Sequence, residues 1–347
     1  MRILRTVERI PGGLMIVPLL LGATVNTLFP GLLEIGGFTQ ALFKDGALVL
    51  IGAFLLCMGA QIPIRATGIT LEKGAAILVG KLVAGVAVGL GVALLLPGGM
   101  LLGLAPLAII AAMTNSNGGL YVALTEEFGN ETDTGAVSVI SINDGPFFTL
   151  VALGAAGLAD VPFIALLAVL IPILIGFVLG NLDEDIRSFL RPGQRLLIPL
   201  FAFPLGAGID FATLLQAGPP GVLLGVMTVV ISGLGAMGLL YLVHVIRRRP
   251  RERRNVISGA CEASTAGNAV ATPAAIAAAD PAYGAIEAAA TAQVAGAVVT
   301  TAILTPLAVI LVHRWQMSRG IDPAYEFEAV ATGPGKTAET SGSAAGR

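Results

Sequence analysis

The sequence predicts an all-α membrane protein, with ten transmembrane helices arranged as a 5+5 inverted repeat that contains two broken crossing helices. Three observations carry that expectation. The 347-residue chain is 55% hydrophobic and only 12% charged, with a mean hydropathy of +0.87, whereas a soluble domain carries about 25% charged residues. Too few polar side chains remain to cover a globule of this size in water. Apolar runs of bilayer-spanning length, about 20 residues, recur along the whole chain. Polar clusters interrupt two of them at matching places. The 45 glycines and the few aromatics (5%) fit the same class, because small residues let helix backbones approach closely in lipid.

The runs lie at 13–30, 46–62, 74–96, 102–125, 134–158, 162–180, 194–210, 219–244, 256–279 and 283–313. Arg2, Arg5 and Arg9 precede the first run as they would in a signal peptide. The run continues through Gly22, Asn26 and Pro30 without a small-residue cleavage site, so it reads as a retained helix. Lys and Arg test the count. With the N-terminus in the cytoplasm, the cytoplasmic segments hold 18 of the 20 basic residues; Lys44 falls outside and Lys81 lies within a helix. That bias is the positive-inside pattern, and an even number of spans then puts both termini in the cytoplasm. The six arginines of 247–254 sit immediately beside a span and read as a topology anchor rather than a nucleic-acid or lipid patch.

Two halves are expected, at 1–158 and 159–315, followed by a disordered cytoplasmic tail at 316–347 rich in Ala, Gly, Thr, Ser and Glu. Gly59-Ala60-Gln61-Ile62 ends the second run, and Gly206-Ala207-Gly208-Ile209 ends the seventh. The fourth run carries Met113-Thr114-Asn115-Ser116-Asn117-Gly118-Gly119. The ninth carries Cys261-Glu262-Ala263-Ser264-Thr265-Ala266-Gly267-Asn268, 148 residues on. Five spans per half is an odd number, so the second half must enter the membrane inverted. Interrupted helices at corresponding positions of inverted repeats point to a transporter's midplane binding site.

Polar backbone at that depth is tolerated only where it lines a cavity. The Gly118–Gly119 pair is expected to permit unwinding, with a fresh half-helix from Leu120; Ser264, Thr265, Gly267 and Asn268 precede a second. Helix N-termini present unpaired amides and the positive end of the dipole. Two of them crossing make an anion site without a lysine. Asn115, Ser116, Asn117, Gly118, Gly119, Ser264, Thr265, Gly267 and Asn268 are therefore the candidate substrate-binding residues, suited to a polyhydroxylated carboxylate. Asp144, Glu262 and Glu287 are the acids within spans, where carboxylates are costly and functional. Asp144 and Glu262 adjoin the breaks and are the candidate proton carriers. Glu287 lies near the external end of its helix and reads as reaching water. The repeat mate of Asp144 falls near Gln293. Lys81 is expected to snorkel or to pair with an acid, and Gly85-x-x-x-Gly89 reads as a packing seam.

Other chemistries find little support. Cys57 and Cys261 read as free buried thiols, and His244 and His313 are too few for a histidine metal site. No nucleophile–base pair or phosphate loop suggests an enzyme, and neither a cofactor nor a nucleic-acid partner is expected.

Ile10-Pro11-Gly12-Gly13, Cys57-Met58-Gly59-Ala60, Asn117-Gly118-Gly119-Leu120-Tyr121, Gly180-Asn181-Leu182-Asp183 and Ala271-Thr272-Pro273 occur in that order over about residues 5–315. Together they resemble the 2-keto-3-deoxygluconate permease family. The resemblance implies a bacterial inner-membrane symporter that takes up this sugar acid with protons. It also implies kinship in fold with the ten-helix bile-acid transporter and sodium/proton antiporter group. A sodium-coupled organic-anion symporter of the bile-acid type is the alternative. Some family members carry an acid within the fourth-run motif, where this chain has Thr114 and Asn115, so the identity of the proton carrier stays open between Asp144 and Glu262.

Overall fold

A computed structural model describes residues 2–10, 13–62, 68–143, 145–159 and 163–326. The chain is built of helices, and no strand occurs among the described residues. Each apolar run forms helix. We label α1 (Gly13–Leu28), α2 (Ala47–Gly59), α3 (Gly68–Leu95), α4 (Pro106–Thr114), α5 (Gly118–Phe128), α6 (Phe147–Ala155), α7 (Phe163–Leu182), α8 (Gly193–Ala207), α9 (Phe211–Ile246), α10 (Ile257–Cys261), α11 (Thr272–Ala279) and α12 (Gly284–Ser318). By themselves α3, α9 and α12 are long and apolar enough to cross a bilayer; α4 with α5, bent by 41°, reaches that length as a pair. Glu131–Asn143 with α6, bent by 59°, forms another such pair. A helix start before α4 uses Pro106 at its first position, where a missing N–H costs nothing.

The helices pack as two groups. In the outer group α1 lies on α8, α7 on α2, and α2 on α8. In the inner group α3 packs on α4 and α9, and α9 on α10 and α12. Glycine makes the closest approaches. A Cβ on Gly22 would overlap the carbonyl oxygen of Phe203, and one on Gly206 would overlap that of Leu19. The α2–α7 contact repeats the arrangement, with Gly59 against Ile173 O and Gly176 against Leu56 O. In the inner group Gly80 and Gly235 meet each other's carbonyl in the same way. Backbone on backbone is what a lipid-solvated interface favours, because dispersion and polar contact must replace the hydrophobic effect. Gly85 and Gly89 form the expected seam, against Met113, Thr114 and Ile110 of α4.

Polar side chains gather at one end of the inner group. Lys73 donates to Asp133 Oδ1 (2.7 Å) and Glu326 Oε2 (2.6 Å), and all three side chains are buried. Asn255 donates to Asp133 and Glu326, Asn130 to Glu326, and Arg249 to Glu326 and Glu72. These residues come from the connections that the positive-inside count assigns to a single side. The last helix continues to Ser318, and Glu326 is buried, so the packed chain extends past the boundary at 315 into the stretch expected as tail. Residues 327–347 lie outside the described residues. Elsewhere Lys44 pairs with Glu34 at 2.6 Å, and its hydrogen bond and charge hold the Glu34 carboxyl below the usual range.

Candidate functional site

Helix α4 ends at Thr114, and Asn115 turns extended (φ −74°, ψ 147°). Asn117 then caps α5, its Oδ1 accepting from Leu120 N at 3.1 Å. The break is therefore the triplet Asn115, Ser116 and Asn117. The two glycines belong to the first turn of α5 and have ordinary φ, which corrects the expectation that they unwind the chain. Neither is tightly packed: a Cβ on Gly118 would reach ordinary contact with Val137 at 3.5 Å, and one on Gly119 with Asn117 at 3.8 Å. The glycines keep room in front of the helix end. The second break runs from Glu262 to Ala266, where a 3₁₀ turn, Gly267–Ala271, leads into α11.

A helix that ends inside the protein leaves its last carbonyls without intrahelical donors. Side chains from other segments supply them. Thr265 Oγ1 donates to Ala112 O (3.1 Å), Ser232 Oγ to Met113 O (2.9 Å) and Asn143 Nδ2 to Thr114 O. Ser232 belongs to a π-turn in α9, Thr228–Ser232, a local widening common at functional sites. At the second break Thr305 Oγ1 donates to Ala263 O (2.6 Å), and Lys81 serves Glu262 O (3.0 Å) and Ser264 O (2.7 Å). Lys81 also pairs with Glu262 Oε1 at 2.8 Å, both side chains fully buried. The expected pairing of Lys81 with an acid is thus realised.

The two breaks meet at one cavity of about 700 Å³. Ser116, Asn117, Gly118 and Gly119 line it from the first break, and Gly267 and Asn268 from the second. Ser116 Oγ and Asn268 Oδ1 are buried without a hydrogen-bond partner, which is uncommon for polar atoms in a packed interior and leaves both able to bond a substrate. The remaining candidates stand behind the wall. Asn115 donates to Gly145 O (3.3 Å), Thr265 ties the breaks together, and Ser264 faces Lys81 through its carbonyl. Glu262 is behind the wall too, with Oε2 unpartnered. Asp144 lies outside the described residues. Gln293 donates to Gly103 O (2.9 Å), away from the cavity, and Glu287 is half-buried in the first turn of α12.

The outer group contributes what sequence reasoning does not single out. Phe54, Met58 and Gln61 of the α2 end and Gln194, Arg195 and Ile198 of α8 form the facing wall, with Ser138 and Ser141 beside them. Arg195 pairs with Glu8 of the short N-terminal helix. Gln61 stands in one of the two echoing motifs, and that echo is the signal that could have found it. Gln194 and Arg195 read only as part of a basic connection.

Residues 4–318 match the family model described as 2-keto-3-deoxygluconate permease. The chain belongs to that family. It is 54% identical over 307 residues to 2-keto-3-deoxygluconate permease 1 of Salmonella typhimurium, covering 88% of this chain and 94% of that one. It is 42% identical over 320 residues to the 2-keto-3-deoxygluconate permease of Bacillus subtilis, covering 90% and 94%. Among solved structures it is similar to the sodium proton antiporter MjNhaP1 of Methanocaldococcus jannaschii, with a TM-score of 0.50 over 92% of this chain and 93% of that one at 14% identity. That likeness concerns the fold. The chain is thus a multi-pass membrane permease rather than an enzyme.

Proposed function

We propose that this protein is a secondary active transporter that imports 2-keto-3-deoxygluconate with protons by alternating access. One observation carries the reading: two polar breaks, 148 residues apart in the chain, line the same cavity. The volume falls within the roughly 300–1,000 Å³ of small-molecule sites. The amides that begin α5 and the 3₁₀ turn after Ala266 suit a carboxylate. The Asn117 side chain suits the same carboxylate, Ser116 and Asn268 suit hydroxyls, and Arg195 in the facing wall attracts an anion from solution.

The ten-span, 5+5 reading draws support from the packing. The α1–α8 and α7–α2 contacts use matching glycines, and the Gly80–Gly235 contact is its own mirror, as a two-fold axis in the membrane plane requires. Gln61, Gln194 and Arg195 line the cavity in segments that the basic residues assign to the cytoplasm, which supports reading it as an inward-facing site in the inner membrane. Sliding the inner group against the outer wall would expose the same breaks to the other side. Moving one charge through 100 mV is worth about 2.3 kcal/mol, so an anion entering a negative-inside cell needs one proton to break even and more to concentrate. Asp144 or Glu262 carries that proton. The test is uptake of labelled 2-keto-3-deoxygluconate into proteoliposomes under an imposed pH gradient, with sodium replaced by choline. Uptake that ignores the pH gradient and follows sodium would reject proton coupling.

A further inference from the structure

The ammonium of Lys81 is held as a metal ion would be. Its three hydrogens meet three oxygens: Glu262 Oε1 at 2.8 Å, Glu262 O at 3.0 Å and Ser264 O at 2.7 Å. None of the three residues is exposed. An ammonium has three donors and no acceptor, so this shell satisfies it completely. Two of the oxygens are carbonyls just beyond the end of α10, of which Glu262 O also accepts from Ser264 N at 2.7 Å, and the third is a carboxylate. Gly80, the preceding residue, is pressed against Gly235, which fixes the backbone from which the lysine reaches.

The first break shows that a charge is not needed merely to cap carbonyls. There Asn143, Ser232 and Thr265 do the work with neutral donors. Burying an ammonium and a carboxylate instead carries a desolvation cost for each ion before their attraction is counted. The second break therefore has a use for a positive charge that the first does not.

We propose that Lys81 is a tethered cation: its ammonium fills a monovalent-cation site made by the carboxylate of Glu262 and the carbonyls of Glu262 and Ser264. The broken helix keeps its shape, and the Asn268 end of the cavity its position, without an ion from solution. The consequence for coupling rests on the transport reading above; the site itself does not. Lys81 and Glu262 stay paired and travel as a neutral unit, which leaves Asp144 to take up the proton, and sodium is not required.

The test is thermal melting of purified protein at equal ionic strength in choline, sodium, potassium or ammonium chloride, which needs no substrate. Wild type is expected to melt alike in all four. Lys81→Ala opens an ammonium-sized space beside three oxygens. It should melt lower in choline and be restored, saturably, by at least one of the small cations, and Lys81→Ala with Glu262→Ala should lose that response. Equal melting of Lys81→Ala in all four salts overturns the proposal. If that variant cannot be recovered, Lys81→Gln decides. Its neutral amide can still reach the carbonyls, and the proposal requires loss of most uptake; wild-type uptake overturns it. Sodium-dependent melting of wild type also overturns it. Salt-specific melting of Lys81→Ala in a protein that takes up no 2-keto-3-deoxygluconate would reject the transport reading and leave the cation site standing.

Discussion

Asn117 serves two tasks that one pair of substitutions can separate. Its Oδ1 caps α5 by accepting from Leu120 N, and the same side chain lines the cavity. Asn117→Ala removes the cap, at a cost of about 1 kcal/mol, which a well-packed bundle survives. It also removes a donor from the bound anion, and a hydrogen bond to a charged group is worth about 1.5–3 kcal/mol. At tenfold per 1.4 kcal/mol, KM for 2-keto-3-deoxygluconate should rise about 10- to 150-fold while the melting temperature falls only slightly. Asn117→Asp keeps the cap, since Asp caps as well as Asn, and adds a charge that the helix N-terminus favours. It places that charge against the substrate carboxylate, a repulsion of about 4 kcal/mol for charges ~4 Å apart at an effective dielectric of 20. Asn117→Asp is therefore expected to be at least as stable as wild type and to show no measurable uptake. Melting and initial-rate uptake in proteoliposomes, on the same preparations, read both quantities. Near-wild-type KM for Asn117→Asp would refute the anion site at this helix end.

Four further outcomes are expected. Asp144→Asn should abolish accumulation driven by a pH gradient while sparing exchange of internal for external substrate; concentrative uptake by that variant would move the proton to Glu262. Gly176→Val drives a side chain into Leu56 O and Ala60 N, backbone atoms that cannot step aside. It should cost at least about 3 kcal/mol, the upper end of ordinary overpacking, and collapse the yield of monodisperse protein. Gly52→Ala, with nothing within 4 Å of the added Cβ, should behave as wild type. Gln194→Cys, in a background lacking Cys57 and Cys261, should react with an impermeant maleimide in inside-out vesicles and be protected by substrate. Labelling only from the periplasmic face would reverse the topology.

The helices and breaks were legible because lipid imposes a simple rule: polar backbone must be either helical or lining a cavity. Asn115-Ser116-Asn117 and Glu262–Ala266 stand out against apolar neighbours for that reason, and α4/α5 and α10/α11 divide there. What the glycines of 118–119 do was not legible. Glycine permits unusual φ, but it also leaves space, and only the cavity in front of α5 distinguishes the two uses. Gln61 and Ser116 line one cavity from segments distant in sequence, and no periodicity encodes that. Glu326 was hidden by its surroundings. A stretch rich in Gly, Ala, Ser and Glu has the composition of a solvated tail, yet one carboxylate in it meets Lys73 and Arg249, brought together from separate connections.

That carboxylate bears on how the protein is made. Every other member of its cluster (Lys73, Asn130, Asp133, Arg249 and Asn255) precedes Glu326 in the chain and leaves the ribosome first. Until synthesis passes residue 326, Lys73 has Asp133 and Arg249 has Glu72 to face, but the carboxylate that joins the two pairs is not yet there. A nascent chain halted inside the last helix can insert its earlier spans, but the Lys73–Asp133 and Arg249–Glu72 pairs are then without the Glu326 carboxylate that bridges them. The cluster thus marks completion: these connections of the inner bundle are bridged by Glu326 only in a molecule translated beyond its final span.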